Sequence, residues 1–82
     1  MAAAMILDVE VREEPIELYK VLKIAALVAS GGEAKFVVSE GQVTVNGEVE
    51  TRKRKKIMSG DVIEFGDAKV TVRLKPAAEV QN

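Results

Sequence analysis

Ser30-Gly-Gly-Glu-Ala-Lys-Phe-Val-Val-Ser-Glu-Gly-Gln-Val-Thr-Val-Asn-Gly47 is the stretch in which the chain changes its period, and that change decides the fold class. Ser30 and Glu33 have the spacing of a capping box. The Ser30 hydroxyl would accept from the backbone N–H of residue 33, and the Glu33 carboxylate would reach back to the N–H of Ser30. Ala34, Val37 and Val38 then form an apolar stripe at helical spacing, and Gly41 falls where a helix ends in a left-handed residue. A short helix of about ten residues from residue 31 is predicted. From Gln42 the pattern becomes that of strands: Val43-Thr-Val45, the turn pair Asn46-Gly47, then Glu48-Val-Glu50. A two-residue turn would pair Val45 with Glu48 and Val43 with Glu50, setting acids against valines. A three-residue loop that pairs Val43 with Val49 and Thr44 with Glu48 is therefore the expected register.

Upstream, Ile6-Leu-Asp-Val-Glu-Val-Arg12 alternates with Leu7, Val9 and Val11 on one side, the period of a half-buried strand. Glu13-Glu14-Pro15 suits the start of a helix whose stripe is Leu18, Val21, Leu22 and Ala25, with Lys20 and Lys23 on a solvated flank. Downstream, Ser59-Gly-Asp61 is a turn, and Val62-Ile-Glu-Phe65, Gly66-Asp67 and Lys69 to Leu74 form a second hairpin with Val70 and Val72 facing inward. Strand, helix, helix and then mostly strands predicts an α+β domain, two helices packed against a small, mostly antiparallel β-sheet.

The 82 residues suffice for one small domain with little room for a deep cavity. The expected division is residues 1–5 as a flexible N-terminal extension, 6–75 as the single domain and 76–82 as a flexible C-terminal tail. Cysteine and histidine are both absent, which removes disulfides, thiolate and imidazole metal sites, and the usual nucleophile and general-base systems. No Asp-rich loop has calcium-ligand spacing. The chain is therefore expected to be no enzyme, with no catalytic residues, metal or cofactor. Its first residues lack the charge pattern of a signal peptide, and no apolar run is long enough to cross a bilayer, so a cytoplasmic monomer that avoids membranes is expected.

Charge is divided unevenly. Residues 1–50 carry 4 Lys/Arg against 9 Asp/Glu, whereas residues 51–82 carry 8 against 4, in a chain of net charge −1. The positive end is dominated by Arg52-Lys-Arg-Lys-Lys56. Such a run reads as a phosphate-binding surface or as a solvated loop that blunts a sheet edge; a localisation tag is a third reading. If strand alternation continues from Val49 to Ile57, Arg52, Arg54 and Lys56 share one side as the main phosphate contacts. Lys53 lies on the other, and Lys55 takes a role if a bulge reverses the parity. Arginine matters here because its planar fork holds two phosphate oxygens. Gly31 and Gly32 offer free N–H groups at a helix start, or merely shape the helix entry; Lys35 extends that face, and Lys20 and Lys23 could join it from the first helix. Phe36 and Phe65 sit in apolar segments and are expected in the core, and Tyr19 in packing. That leaves no platform for stacking single-stranded bases, and recognition is expected to rest on phosphates, sugars and shape, as in structured RNA.

Ser30-Gly-Gly-Glu-Ala-Lys35, Glu40-Gly-Gln-Val-Thr-Val-Asn-Gly47, the basic segment from Thr51 to Ile57, and Ser59-Gly-Asp-Val-Ile63 occur in this order. Together they resemble the S-four-type RNA-binding domain, and within it the small standalone YbcJ-type proteins, over roughly residues 6 to 74. The resemblance implies an αL RNA-binding fold whose two helices and adjoining β-segment form a docking surface for structured RNA, ribosomal or transfer RNA. Many members carry an arginine just after the serine that starts the second helix; this chain has Gly31-Gly32 there, which shifts weight to Lys35 and to Arg52–Lys56. The expected function is non-catalytic binding of structured RNA, with the ribosome or ribosomal proteins as further partners. The alternative, suggested by the acidic first half, is a protein-binding adaptor that docks a basic partner such as a ribosomal protein.

Overall fold

Alternation along the first strand is used as the sequence predicts: β1 spans Met5–Val11, with Val9 and Val11 buried and Asp8 and Glu10 exposed. The computed structural model describes residues 4–75, so most of the expected extension and all of the expected tail lie outside the described residues. Met5 already pairs with Ala68.

The chain continues through β2 (Ile16–Glu17), α1 (Leu18–Ile24), α2 (Gly31–Ser39), β3 (Val43–Val45), β4 (Glu48–Val49), β5 (Lys56–Ile57), β6 (Val62–Phe65) and β7 (Ala68–Leu74). Five strands form one sheet in the order β1-β7-β6-β3-β4, and β2 pairs with β5 in a second, two-stranded sheet. Among the described residues only β1 and β7 run parallel; the other pairs are antiparallel. The register lines up one apolar row across four strands: Leu7 opposite Val70, Val70 opposite Ile63, and Ile63 opposite Val45. This row and its neighbours Val9, Val72 and Val43 meet Leu18, Val21 and Leu22 of α1 and Ala34, Val37 and Val38 of α2 in one core. The fold is α+β, with two helices against a mostly antiparallel mixed sheet.

Three local expectations are corrected. The first helix starts at Leu18, not at Pro15, because Ile16 and Glu17 are drawn into pairing with Ile57 and Lys56. Glu14 serves a turn instead, its carboxylate accepting from the Ser59 N–H at 3.0 Å. The β3–β4 hairpin uses the two-residue turn: Val45 lies opposite Glu48 and Thr44 opposite Val49, with Asn46 (φ 53°) and Gly47 (φ 89°) both left-handed. Its valine–acid mismatch costs little because β4 is an exposed edge and β3 buries its valines against β6 on its other side. Asn46 holds the turn through its side chain, which donates to Asp61 Oδ1 at 3.1 Å and accepts from Val62 N at 3.0 Å. The capping box of α2 is only half reciprocal. Ser30 Oγ accepts from Glu33 N at 3.1 Å, but the Glu33 carboxylate accepts from the N–H of Ala29, not Ser30, at 2.8 Å.

Candidate nucleic-acid interface

The cationic segment enters from the β3–β4 hairpin and leaves into β5, and both ends are held. At the entry, Glu50 N donates to Val43 O at 3.0 Å. The Glu50 carboxylate accepts from Arg52 N at 3.0 Å, Arg52 Nε at 2.8 Å and Arg52 Nη2 at 3.2 Å. At the exit, Ile57 is fully buried in the core.

Between these anchors the chain does not alternate as a strand. Lys55 N donates to Arg52 O at 3.1 Å, closing a turn over Lys53 and Arg54. The grouping of Arg52, Arg54 and Lys56 by strand parity is thus overturned. The reason lies in α1, whose N-cap residue Glu17 makes no side-chain cap. A helix start has unpaired N–H groups, and here the basic segment supplies their acceptors: Leu18 N donates to Lys55 O at 2.9 Å and Tyr19 N to Lys53 O at 3.1 Å. The carbonyls turn toward the helix while Lys53 and Arg54 remain exposed.

Opposite the turn stands α2, and between them runs an open groove of about 930 Å³. One wall is Gly32, Lys35, Phe36 and Ser39; the other is the segment Thr51 to Lys56. Six cations line it, Lys35 and Arg52 through Lys56, and no lining residue is acidic. The Lys35 ammonium sits 5.0 Å from the centroid of the Tyr19 ring, which braces α2 against α1 by a cation–π contact.

Glu50 lies just outside the groove and sets the electrostatics of its entry. Hydrogen bonds from the Arg52 side chain and backbone, aided by the charges of Arg52 and Lys55 and opposed by burial, lower its pKa from 4.5 to about 2. The side-chain hydrogen bond to Glu50 and the charge of Glu50 raise the pKa of Arg52. Glu50 occupies the Nε–Nη2 side of the guanidinium and leaves the Nη1 end open, so Arg52 is oriented without being fully consumed.

Of the ten residues singled out in the sequence, Lys35, Gly32 and Arg52 to Lys56 converge in this groove. Gly31 and Lys23 are not in its lining; Gly31 precedes Gly32 at the start of α2, and a Cβ on it would lie 3.7 Å from Lys23 Cδ. Lys20 lies elsewhere, 3.9 Å from Glu17 and bordering a second depression with Pro15, Ile16 and Lys56. Neither glycine has a positive φ, so the backbone conformation does not require them.

Sequence reasoning misplaced Phe36. Its side chain is 58% exposed and lines the groove. The signal was available, because a stripe of Ala34, Val37 and Val38 leaves position 36 off the buried face. Ser39 and Thr51, also in the lining, carried no signal of their own.

The structure is that of a small α+β module that carries an open cationic groove on its surface. The chain matches the S4 domain model over residues 9–73 and belongs to that family. It is 46% identical over 57 residues to "Putative RNA-binding protein YbcJ" of Escherichia coli strain K12, an alignment covering 70% of this chain and 81% of that protein. It is 40% identical over 57 residues to "Probable ribosome maturation protein RlbA" of Bacillus subtilis strain 168, covering 70% and 80%. The solution structure of YbcJ from E. coli, described as an αL motif involved in RNA binding, matches with TM-score 0.64 at 40% identity over 80% of this chain and 85% of that one. Among the described residues, no helix is long and apolar enough to cross a membrane.

Proposed function

We propose that this chain is a non-catalytic RNA-binding module that holds structured RNA, ribosomal or transfer RNA, in the groove between α2 and the turn at Lys53-Arg54. The single observation that carries the reading is the convergence of six cations and no carboxylate on that groove. A sugar–phosphate backbone presents regularly spaced anions, and cations on two walls meet them from both sides. Arg54 offers its fork to one phosphate; Lys35, Lys53, Lys55 and Lys56 act as point charges. Arg52, steadied by Glu50, adds its open Nη1 end. Gly31 and Gly32 add backbone N–H groups at the start of α2, Lys23 beside Gly31 adds charge, and Lys20 contributes at longer range. The names borne by relatives, an RNA-binding protein and a ribosome maturation protein, support RNA in general and a ribosomal setting in particular. Such a partner implies action in the cytoplasm as a monomer, with residues 6–75 as the binding unit.

The test is charge reversal at two exposed sites, Lys53→Glu with Arg54→Glu, assayed by retention of ribosomal and transfer RNA. Each change adds a like charge to the phosphate path, and together they are expected to reduce affinity at least a hundredfold while the melting temperature stays near wild type. Unchanged retention would sink the assignment. A partner that survives nuclease treatment in pull-down would favour instead the docking of a basic protein.

A further inference from the structure

The cationic groove contains one apolar element, and it is aromatic. Phe36 is 58% exposed although its neighbours Val37 and Val38 are buried. A phenyl ring left in water contributes little to the core, and Phe36 differs from the other exposed apolar residues in standing among the groove cations. Its surroundings are specific: Gly32 lies one helical turn before it, Ser39 three residues after it, and Lys35 beside it, all in the lining. Gly32 shares the groove-lining face of α2 with Phe36, one turn nearer the helix start. Glycine inside a helix costs stability relative to alanine. At Gly32 neither the backbone nor packing demands it, since φ is not positive and the nearest atom to an added Cβ is Ser30 Oγ at 3.8 Å. The absent side chain leaves the groove open beside Phe36.

From this geometry we infer that Phe36 is a stacking platform for one unpaired nucleobase, so that the groove prefers RNA stems bearing a bulged or extruded nucleotide over continuous duplex. The inference rests on the RNA-binding reading and narrows its substrate class. A flat, apolar base face between phosphates matches an aromatic ring ringed by cations. A purely apolar peptide would leave six positive charges without partners. Stacking on an aromatic side chain is sequence-tolerant, so the platform selects for an unpaired base, whichever base it is.

Two RNA hairpins test this, identical except that one carries a single bulged adenosine. Fluorescence anisotropy gives the affinity ratio, bulged over continuous, for wild type, Phe36→Ala, Phe36→Trp and Gly32→Leu. Wild type should favour the bulged hairpin about tenfold, within the range for one base stacked on an aromatic. Phe36→Ala should bring the ratio to about 1, Phe36→Trp should keep it, and Gly32→Leu should lower it by filling the groove beside the ring. A 2-aminopurine in the bulge should be quenched by wild type and not by Phe36→Ala, and melting curves establish that each variant is folded. A wild-type ratio near 1, or a ratio that survives Phe36→Ala, overturns the platform while leaving phosphate docking intact. Failure of wild type to bind either hairpin overturns the RNA reading and the platform with it. A wild-type dimer in sedimentation that Phe36→Ala disperses would assign the ring to a second copy of this chain and overturn the inference too.

Discussion

Ile57 is where the cationic segment is pinned to the core, so shortening its side chain should loosen the binding surface before it unfolds the domain. Ile57 is fully buried, and it closes β5 against Ile16 of β2. Ile57→Val removes one methylene and should cost about 1 kcal/mol; Ile57→Ala removes more and leaves a cavity, for about 2 to 5 kcal/mol. A domain of 82 residues has a total stability of about 4 to 12 kcal/mol, so the valine variant stays folded and the alanine variant is marginal. The informative assay is amide hydrogen exchange at Leu18 and Tyr19, because these N–H groups donate to the carbonyls of Lys55 and Lys53 and report directly whether the segment is docked. In Ile57→Val their protection should fall about fivefold, the factor equivalent to about 1 kcal/mol, with a larger drop than at core amides if the segment opens as a unit. RNA affinity should weaken in parallel, since an undocked segment must be ordered again on binding. Unprotected Leu18 and Tyr19 amides in the wild type would refute the reasoning, since the cations would then sit on a free loop.

Two further outcomes follow from side chains that fix the approach to the groove. Asn46→Ala should destabilise the domain by about 2 to 3 kcal/mol, since it loses two side-chain hydrogen bonds and the polar side chain that lets asparagine tolerate φ 53°, whereas Asn46→Gly should cost about 1 kcal/mol because it relieves the backbone; thermal melts that rank the two equally would contradict this. Glu50 has its pKa lowered from 4.5 to about 2, so its pairing contributes stability that is present above about pH 4.5 and is lost as pH falls toward about 2. Solvent exposure of Arg52 makes that contribution small. In Glu50→Gln this portion of the acid destabilisation should disappear, and an unchanged acid transition in urea titrations from pH 6 to 2 would deny it.

Most of the fold could be read because local patterns and tertiary packing agree: the Ser30 cap, the Ala34-Val37-Val38 stripe, Gly41 in the left-handed region and the Val62–Leu74 hairpin. Three failures share a cause, in that a partner distant in sequence overrode a local preference, whereas Phe36 and the Glu33 cap were misjudged within their own helix. Pro15 looked like a helix start until Ile57 and Lys56 claimed Ile16 and Glu17. The Asn46-Gly47 register looked wasteful when only two strands were weighed, and β6 supplies the third. Parity along Arg52–Lys56 failed because the α1 N–H groups bend that backbone into a turn. The parallel pairing of β1 with β7 joins the two ends of the domain and carries no local signature. Lys35 and the cation run were legible as site candidates from charge and position, but their convergence on one groove depends on α2 packing across from the turn.

The salt dependence of RNA affinity tests phosphate docking most directly. Neutralising about four phosphates predicts that log affinity falls against log salt with a slope of roughly −3 for wild type. Arg54→Ala should reduce the magnitude of that slope by about 1, the loss of a single phosphate contact. A slope near zero, or one that Arg54→Ala leaves unchanged, would contradict the groove as the place where RNA is held.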